Sequence, residues 1–257
     1  MKGIILLLKF MTRLPIGVEP KFDSDSIGKS MKFFPIVGMV IGLILFAFFW
    51  GFSGIIYTPM LMIVLLVIIE VILTGGLHLD GLADTFDGIF SYRSKQKMLD
   101  IMKDSSLGTN GGLVLILYFI LKIVLIYELE MTIGLPSGIV FLLTPAIARL
   151  NSVINCASAP YARATGLGKT FVDNTNGFGV IVATVLVLLY TIVIGYLFLL
   201  PVVMLIIIPI VMLFGFIFAK LMTRKIGGVT GDTLGAVVEL SEILVILLIY
   251  IFAVLFV

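Results

Sequence analysis

Long apolar runs alternate with short polar stretches along the whole chain. A helix that spans a bilayer needs about 20 apolar residues, and the pattern predicts five such helices, at about residues 33–52, 60–77, 113–127, 133–155 and 237–257. Residues 174–219 carry no charge at all. A helix of that length would measure about 69 Å, more than twice the hydrocarbon thickness. This segment is therefore predicted to reverse near Pro201 and to supply two more spans.

The composition agrees with this pattern. The chain of 257 residues is 61% hydrophobic and 12% charged, whereas about a quarter of the residues in a soluble domain are charged. We therefore predict an all-α, polytopic membrane bundle of about seven transmembrane helices, formed by one domain over residues 1–257. The single cysteine, Cys156, excludes an intrachain disulfide. A net charge of +2 gives no reason to expect nucleic acid as a partner.

Residues 1–15 predict a helix that lies at the membrane surface. Lys2, Lys9 and Arg13 interrupt apolar runs too short to cross a bilayer, which is typical of an interfacial amphipathic helix. The basic residues also predict an orientation. Fifteen of the seventeen fall in alternate connections on one side of the predicted spans, and the other two, Lys122 and Arg149, lie within spans. By the positive-inside rule, the N-terminus and the polar connections face the cytoplasm of a cell-membrane protein.

Residues 75–88 concentrate the candidate chemistry. They contain the only histidine, His78, and three aspartates, Asp80, Asp84 and Asp87, at the spacing i, i+4 and i+7. On a helix these carboxylates would share one face, where their mutual repulsion favours a bound cation. Ligands that are all oxygen favour Mg²⁺. An acidic, solvated loop whose aspartates cap helices is the alternative that this spacing leaves open.

Three further polar clusters lie in connections that are predicted to be cytoplasmic. Small residues after Lys103 expose backbone N–H groups suited to phosphate oxygens, and an Arg and a Lys flank the glycines of residues 161–169 in the manner of an anion clamp. The candidate phosphate contacts in these two clusters are Lys103, Asp104, Thr109, Asn110, Arg163 and Lys169. Asp232 in the third cluster is either a fourth metal carboxylate or the cap of the last span.

Ionisable residues also occur inside the predicted spans. Such groups are costly in hydrocarbon and are usually paired. Glu70 and Lys122 lie at similar depths in adjacent, antiparallel spans, so we predict a structural ion pair between them. Arg149 lies nearer the cytoplasmic end of its span and is predicted to reach substrate phosphate or the acidic cluster.

Together the clusters resemble the cobalamin synthase family, the adenosylcobinamide-GDP ribazoletransferases. The resemblance covers nearly the whole chain in order and rests on FMTRLP (10–15), FPIVG (34–38), HLDGLADTFDG (78–88), KDS (103–105), YAR (161–163), GLG (166–168), GVTGDTLGA (228–236) and ELSE (239–242). Many members have acidic residues where Leu79, Ala164 and Thr165 stand here. The resemblance therefore assigns metal ligation to the three aspartates of residues 80–87.

The resemblance implies the step that joins the lower-ligand nucleotide to the corrinoid. Adenosylcobinamide-GDP and α-ribazole, or its 5′-phosphate, give adenosylcobalamin, or its 5′-phosphate, and GMP, with Mg²⁺ required. In the resulting hypothesis Mg²⁺, held by the aspartates of residues 80–87 with or without Asp232, bridges the pyrophosphate, and the basic residues of the clusters contact its oxygens. Asp84 or Asp80 takes the acceptor proton. His78 ranks below them because three nearby anions would keep it charged, and its alternative role is to orient an Asp.

Two other functions fit the pattern less well. A CDP-alcohol phosphotransferase would also be polytopic and Mg²⁺-dependent, but in that family Asp-Gly is followed by Ala-Arg, whereas Asp80-Gly81 is followed here by Ala83-Asp84. A divalent-cation transporter would need a polar path across the bundle, and three predicted spans have no charge. The expected partners are small-molecule substrates and the lipid bilayer. Self-association and association with other cobalamin-assembly enzymes are left open.

Overall fold

The computed structural model describes residues 2–18, 23–200 and 205–256; Pro201, the predicted point of reversal, lies outside these ranges. The helices are α1 Lys2–Met11, α2 Ser24–Lys29, α3 Phe34–Phe52, α4 Pro59–Thr74, α5 Leu77–Ile89, α6 Lys95–Ile101, α7 Thr109–Glu128, α8 Ser137–Ser158, α9 Leu167–Asn174, α10 Gly177–Leu197, α11 Ile207–Ile226 and α12 Gly231–Phe256. A 3₁₀ turn, Met31–Phe33, precedes α3, and a π-helical turn, Leu129–Ile133, follows α7. The described residues contain no strand beyond an isolated bridge between Tyr161 and Val229. The all-α prediction is therefore confirmed.

Six helices among the described residues are long and apolar enough to cross a membrane, namely α3, α7, α8, α10, α11 and α12. The pair α4 and α5 meets the same criterion only when the two are taken together, with a bend of 88° between them. Six or seven spans agree with the predicted number, and the protein is a multi-pass membrane protein. The last helix begins at Gly231 rather than near residue 237, so the polar cluster around Asp232 forms its first turn.

Helix α8 forms the centre of the bundle. All its residues from Ser137 to Cys156 are buried, and α3, α10, α11 and α12 pack against it. The outer helices instead expose large apolar side chains, among them Ile72, Leu117 and Leu189. This arrangement suits a bundle whose outer surface is covered by lipid tails.

The turn between α4 and α5 redirects the chain into the acidic helix. Gly75 and Gly76 have φ angles of 63° and 71°, in the left-handed region that glycine adopts without strain. Gly75 ends α4 in the manner common at helix C-termini. The 13 residues of α5 consequently run almost at right angles to α4.

The N-terminal helix α1 is present as predicted. Leu6, Leu7 and Met11 are buried in the protein core, so the apolar face of α1 docks onto the bundle. After the helix ends, the backbone N–H of Arg13 donates to the carbonyl oxygen of Leu73 at 2.7 Å. This contact fixes the end of α1 beside the turn that leads into α5.

Candidate active site

A cavity of about 280 Å³ lies where α5 meets the start of α12. Its polar lining residues are His78, Asp80, Ser152, Tyr161, Arg163 and Asp232. Its larger apolar lining residues are Phe10, Met11, Met31, Phe34, Leu77, Leu167, Phe171 and Leu234. The cavity therefore combines charged groups from three of the sequence clusters with an aromatic and aliphatic wall.

Glycines bring the backbones of α5 and α12 into close contact. A methyl group on Gly81 would lie 2.6 Å from the carbonyl oxygen of Asp232, and one on Gly235 would lie 3.1 Å from the Cα of His78. The first distance is too short for any real side-chain carbon. The absence of a side chain at Gly81 is thus what lets Asp232 approach the acidic face of α5.

Asp80 and Asp84 lie one turn apart on α5, near Asp232. Asp80 is exposed and Asp84 is half-buried. The negative charges of Asp80 and Asp232 both act on the carboxylate of Asp84, and the positive charge of Arg163 opposes them. Partial burial reduces the screening of this repulsion by water. This repulsion is the physical reason to expect a cation beside these two residues, and that cation stays a prediction.

Asp87 has a different environment from its two neighbours. It is buried, and its two carboxylate oxygens accept hydrogen bonds from the backbone N–H groups of Gly108 and Gly111, each at 2.8 Å. These donors lie at the start of α7, where N–H groups have no partner within the helix. Asp87 therefore caps a helix, α7, as the alternative proposed, but it does so from a buried position on α5 and not from a solvated loop.

Two connections meet at the rim of the cavity. The backbone N–H of Ala162 donates to the carbonyl of Val229 at 2.8 Å, and the N–H of Val229 donates to the carbonyl of Pro160 at 2.9 Å. This pairing places Arg163 Nη2 2.7 Å from Asp232 Oδ2. Asp232 is therefore the partner of an arginine at the cavity.

The cap of α12 is provided by threonines. The hydroxyl of Thr233 accepts from the backbone N–H of Thr230 at 2.8 Å, and the hydroxyl of Thr230 accepts from the N–H of Thr233 at 3.2 Å. The alternative that Asp232 merely caps the last span is therefore wrong.

Tyr161 lies at the same rim. Burial raises the pKa of its phenol, and the nearby positive charge of Arg163 acts in the opposite direction with a smaller effect. The hydroxyl therefore stays protonated at neutral pH and is available as a hydrogen-bond donor.

His78 lies in a different environment from the one predicted. It is 4% exposed, its ring packs edge-on against Phe34 with centroids 5.8 Å apart, and within the described ranges its Nδ1 has no hydrogen-bond partner. The charges that act on it are those of Arg149 and Glu242, because residues two apart on a helix do not share a face. The prediction that the aspartates keep His78 charged is wrong, since burial with an unpaired ring nitrogen favours the neutral imidazole.

A buried ion network links α4, α7, α8 and α12. Lys122 Nζ lies 2.6 Å from Glu70 Oε2 and 2.6 Å from Glu242 Oε2, and it also donates to the hydroxyl of Tyr118 at 3.0 Å. The predicted ion pair between Glu70 and Lys122 is confirmed. Glu242 is a second partner that the sequence did not predict.

Arg149 belongs to this network. Its Nη1 donates to the carbonyl of Pro145 at 2.9 Å and lies 3.4 Å from Glu242 Oε1. The side chain is 1% exposed and is absent from the cavity lining. The prediction that Arg149 reaches substrate phosphate or the acidic cluster is therefore wrong, because a buried carboxylate on α12 holds it within the bundle.

A family model described as cobalamin-5-phosphate synthase matches residues 3–250. The chain belongs to this family. It is 49% identical to the adenosylcobinamide-GDP ribazoletransferase of Fusobacterium nucleatum, with 96% of each chain covered. It is 40% identical to the protein of the same name from Clostridioides difficile, with 97% of each covered, and 38% identical to that of Clostridium novyi, with 96% of each covered. No solved structure matches the chain.

In this cobalamin-5-phosphate synthase family member, one predicted phosphate contact lines the cavity, namely Arg163. Lys103 and Asp104 are exposed beyond it, and Asp104 accepts a hydrogen bond from the backbone N–H of Ser106 at 2.9 Å. The hydroxyl and the N–H of Ser106 lower the pKa of this carboxyl group. The first turn of α7 contains Thr109 and Asn110, and Lys169 pairs with Asp173 at 2.6 Å. These phosphate contacts outside the lining stay predictions.

The carboxylates suit a metal that also binds substrate. No group of three or more His, Cys, Asp or Glu side chains is placed to hold a metal ion by itself in the part of the chain that the structure describes. Mg²⁺ commonly uses only one or two protein carboxylates together with water and substrate phosphates. The mutual repulsion of Asp80, Asp84 and Asp232 fits that mode of binding, whereas Asp87 already caps α7.

The sequence did not predict the aromatic wall of the cavity. Phe10 and Phe34 stand in the two opening runs that carry the family resemblance, but their roles depend on α1 and α3 meeting at α5. Phe171 lies on α9, a helix that the sequence pattern did not predict. The available signal was the recurrence of Phe in the two opening motifs.

Proposed function

We propose that this protein is an adenosylcobinamide-GDP ribazoletransferase and that its active site is the cavity between α5 and α12. Relatives of that name align with almost the whole chain. The observation that carries the choice of site is that Asp80, Arg163 and Asp232 line the same cavity. Carboxylates and a guanidinium in one place suit a metal-bound pyrophosphate donor and an anionic leaving group.

The proposed reaction exchanges one phosphoester partner for another. A ribose hydroxyl oxygen of α-ribazole, or of its 5′-phosphate, forms a bond to the phosphorus nearer the cobinamide. The bond between that phosphorus and the bridging oxygen breaks, and GMP leaves with the bridging oxygen. The proton of the acceptor hydroxyl passes to a base on the protein. The products are adenosylcobalamin, or its 5′-phosphate, and GMP.

The charged residues of the rim have separate roles in this proposal. Asp80, Asp84 and Asp232 would hold Mg²⁺, which when bound neutralises charge on the pyrophosphate and on the departing GMP. Arg163 uses Nη2 for Asp232, and its guanidinium has a further terminal nitrogen with which to donate to phosphate oxygens. The half-buried phenol of Tyr161 is a neutral donor at the same rim.

The proton acceptor that we propose is Asp84, with Asp80 as the second candidate. Both lie on the face of α5 that meets Asp232, so a substrate held at the rim would place its hydroxyl near them. His78 is the third candidate, because its ring is enclosed by Phe34 and by the buried charges of the ion network.

We also propose that the cavity opens on the cytoplasmic side of the cell membrane. The support is the asymmetric distribution of Lys and Arg along the chain. Two single-cysteine variants, Lys97→Cys and Tyr57→Cys in a Cys156→Ala background, test this orientation. In intact cells a membrane-impermeant maleimide should label position 57 only, and the reverse pattern would contradict the proposal.

The direct test of the function uses the parent protein purified in detergent. It would be given adenosylcobinamide-GDP, α-ribazole and Mg²⁺, and both GMP and the corrinoid product would be measured by mass spectrometry. We expect the two products in equal amounts, with no reaction when the acceptor is omitted or Mg²⁺ is removed by a chelator. GMP release without a corrinoid product, or unchanged rates in the chelator, would contradict the proposal.

A further inference from the structure

We propose that the apolar wall of the cavity binds the base of the acceptor nucleoside and that the guanine of the donor binds elsewhere. This inference rests on the function proposed above, in which the acceptor is α-ribazole. The base of α-ribazole is a dimethylbenzimidazole, a flat and mainly apolar fused ring system. The inference thus assigns the two aromatic groups of the substrates to different places.

The wall is built from rings and a flexible thioether that come from separate elements. Phe10 and Met11 lie at the end of α1, Phe34 begins α3, and Phe171 is on α9. The rings of Phe10 and Phe171 have centroids 6.2 Å apart and are tilted by 50°. Aromatic rings gain by stacking on a planar base, and methionine adapts to the outline of a ligand.

The size of the cavity restricts which part of the substrates can enter. A volume of about 280 Å³ is just below the range for small-molecule pockets, roughly 300–1,000 Å³. A nucleoside fits such a space, whereas the corrinoid macrocycle is too large. The corrinoid must therefore stay outside, with its pyrophosphate reaching in to the charged rim.

The polarity of the wall distinguishes between the two bases. Guanine has several donors and acceptors along its edge, and leaving them unpaired against phenylalanine and methionine would be costly. Ser152 offers no free hydroxyl proton, since it donates to the carbonyl of Leu234 at 2.6 Å. Dimethylbenzimidazole has two methyl groups and one unsubstituted ring nitrogen. An apolar wall therefore suits most of the surface of dimethylbenzimidazole.

His78 is the polar side chain that touches this wall. It packs against Phe34, lines the cavity and makes no hydrogen bond to any other residue in the described ranges. The neutral imidazole of His78 has one N–H group, which suits a hydrogen bond to the single free ring nitrogen of dimethylbenzimidazole. With the base on the wall, the attached ribose is directed to the remaining space, which Asp80 and Asp232 line.

Phe10→Ala is the variant of choice for the test because Phe10 is 41% exposed, so its removal leaves the bundle core intact. The dissociation constant of α-ribazole would be measured by equilibrium dialysis on the detergent-solubilised full chain, without donor. We expect it to rise about tenfold, the usual effect of losing one stacking ring. The affinity for adenosylcobinamide-GDP, measured in the same way without acceptor, should change less than twofold.

Phe171→Leu provides a second test on the opposite ring, which removes the aromatic face but less volume than alanine would, and Phe178→Ala is the control matched to Phe10→Ala. Phe178 is exposed on α10 and is not part of the cavity lining. We expect weaker α-ribazole binding in Phe171→Leu and unchanged binding in the control. Weaker binding of the GDP donor in both cavity variants, with α-ribazole unaffected, would overturn the inference and place guanine on the wall.

The inference and the proposed function fail in different ways. If the parent protein releases no GMP in the presence of both substrates, the proposed function is wrong. If the parent is active and both cavity variants bind α-ribazole as the parent does, the function stands and the inference is wrong. Size-exclusion chromatography of each variant excludes misfolding as the cause of a loss.

Discussion

The three aspartates of α5 have different tasks, although their spacing makes them look equivalent. Asp80 lines the cavity, and the charges of Asp80 and Asp232 act on Asp84, whereas both oxygens of Asp87 accept hydrogen bonds from the start of α7. Ideal helix geometry places all three aspartates on one face, but the geometry alone does not show which segment packs beside the last turn of that face. The segment that packs there begins at Gly108, twenty-one residues further along the chain.

Asp87→Asn should reduce stability rather than remove a metal ligand. An amide retains one acceptor oxygen but turns an N–H₂ group towards a backbone donor, so one charge-assisted hydrogen bond is lost and two donors oppose each other. We expect a loss of about 1–3 kcal/mol, seen as a lower Tm in detergent. Asp100→Asn, on the exposed face of α6, should keep the parent Tm.

A different outcome would show that Asp87 is a metal ligand. An Asp87→Asn protein with the parent Tm, but with a raised Mg²⁺ requirement for GMP release, would mean that the cap contributes little and that the carboxylate binds the ion. Both quantities can be measured on the same preparation.

At the residue scale, the sequence predicted which residue types form the site better than it predicted which side chains surround each of them. The acidic character of residues 80–84 and the candidacy of Arg163 depended on residue type, and the structure places them together. The environments of His78 and Arg149 depended on which helices surround them. His78 faces α12 and the buried ion network, and no local pattern identifies those partners.

Among the elements, the contact between α5 and α12 determines the geometry of the rim. Gly81 and Gly235 allow the two backbones to touch, and Asp232 follows directly from this contact. Because catalysis depends on the relative placement of groups to within about an ångström, the absence of a side chain at Gly81 has a consequence for the reaction as well as for packing.

Gly81→Ala should therefore lower activity by moving α12. The new methyl group would come within 2.6 Å of a backbone oxygen that cannot rotate away, so the helices must separate. We expect kcat/KM for GMP release to fall about a hundredfold. Gly195→Ala, on α10 where a methyl group meets open space, should leave kcat/KM unchanged. Equal activities in the two variants would contradict the importance of this contact.

The ion network determines how four helices are held together behind α5. Lys122 lies between two glutamates at 2.6 Å each, and all three side chains are buried. Removing one partner of a buried pair leaves an uncompensated charge, which costs about 3–5 kcal/mol. The cost is greatest where lipid surrounds the bundle and water is absent.

Lys122→Met should consequently destabilise the protein strongly, with a large loss of Tm and of folded yield. Adding Glu70→Gln to that variant should recover part of the loss, because Glu70 is then the carboxylate without its cation, whereas Glu242 keeps Arg149 at 3.4 Å. Lys97→Met, on the exposed side of α6, is the matched control and should resemble the parent. The network would not have the role described here if Lys122→Met kept the parent Tm.

The sequence predicted elements better than the connections between them. The six long apolar helices were expected from their runs, since hydrophobic periodicity and length are local properties, whereas a helix over the acidic segment was one of two alternatives. The right-angled bend after α4, the short helix α9 and the early start of α12 were not expected. They depend on left-handed glycines, on docking against α2 and α12, and on a threonine cap, none of which changes the average hydropathy of a segment.

For the molecule as a whole, the fold places a cavity lined by charged side chains at the end of a bundle of membrane-spanning helices. Helix α8 is buried along its length, the surrounding helices expose apolar side chains, and the charged residues outside the buried network gather in the connections and around the cavity. Membership of the cobalamin-5-phosphate synthase family agrees with a bundle that serves as a scaffold for a site at its end.

The central claim is that the acidic face of α5 at this cavity performs the transfer. The measurement that tests it most directly is the rate of GMP release by Asp84→Asn beside Asp100→Asn, at saturating donor, acceptor and Mg²⁺. Both changes replace one carboxylate by an amide, but only Asp84 is close enough to the cavity residues Asp80 and Asp232 for their charges to act on it. We expect Asp84→Asn to lose at least about a hundredfold in rate while keeping the parent Tm, and Asp100→Asn to match the parent. Full activity in Asp84→Asn would contradict the claim and move the site away from this face.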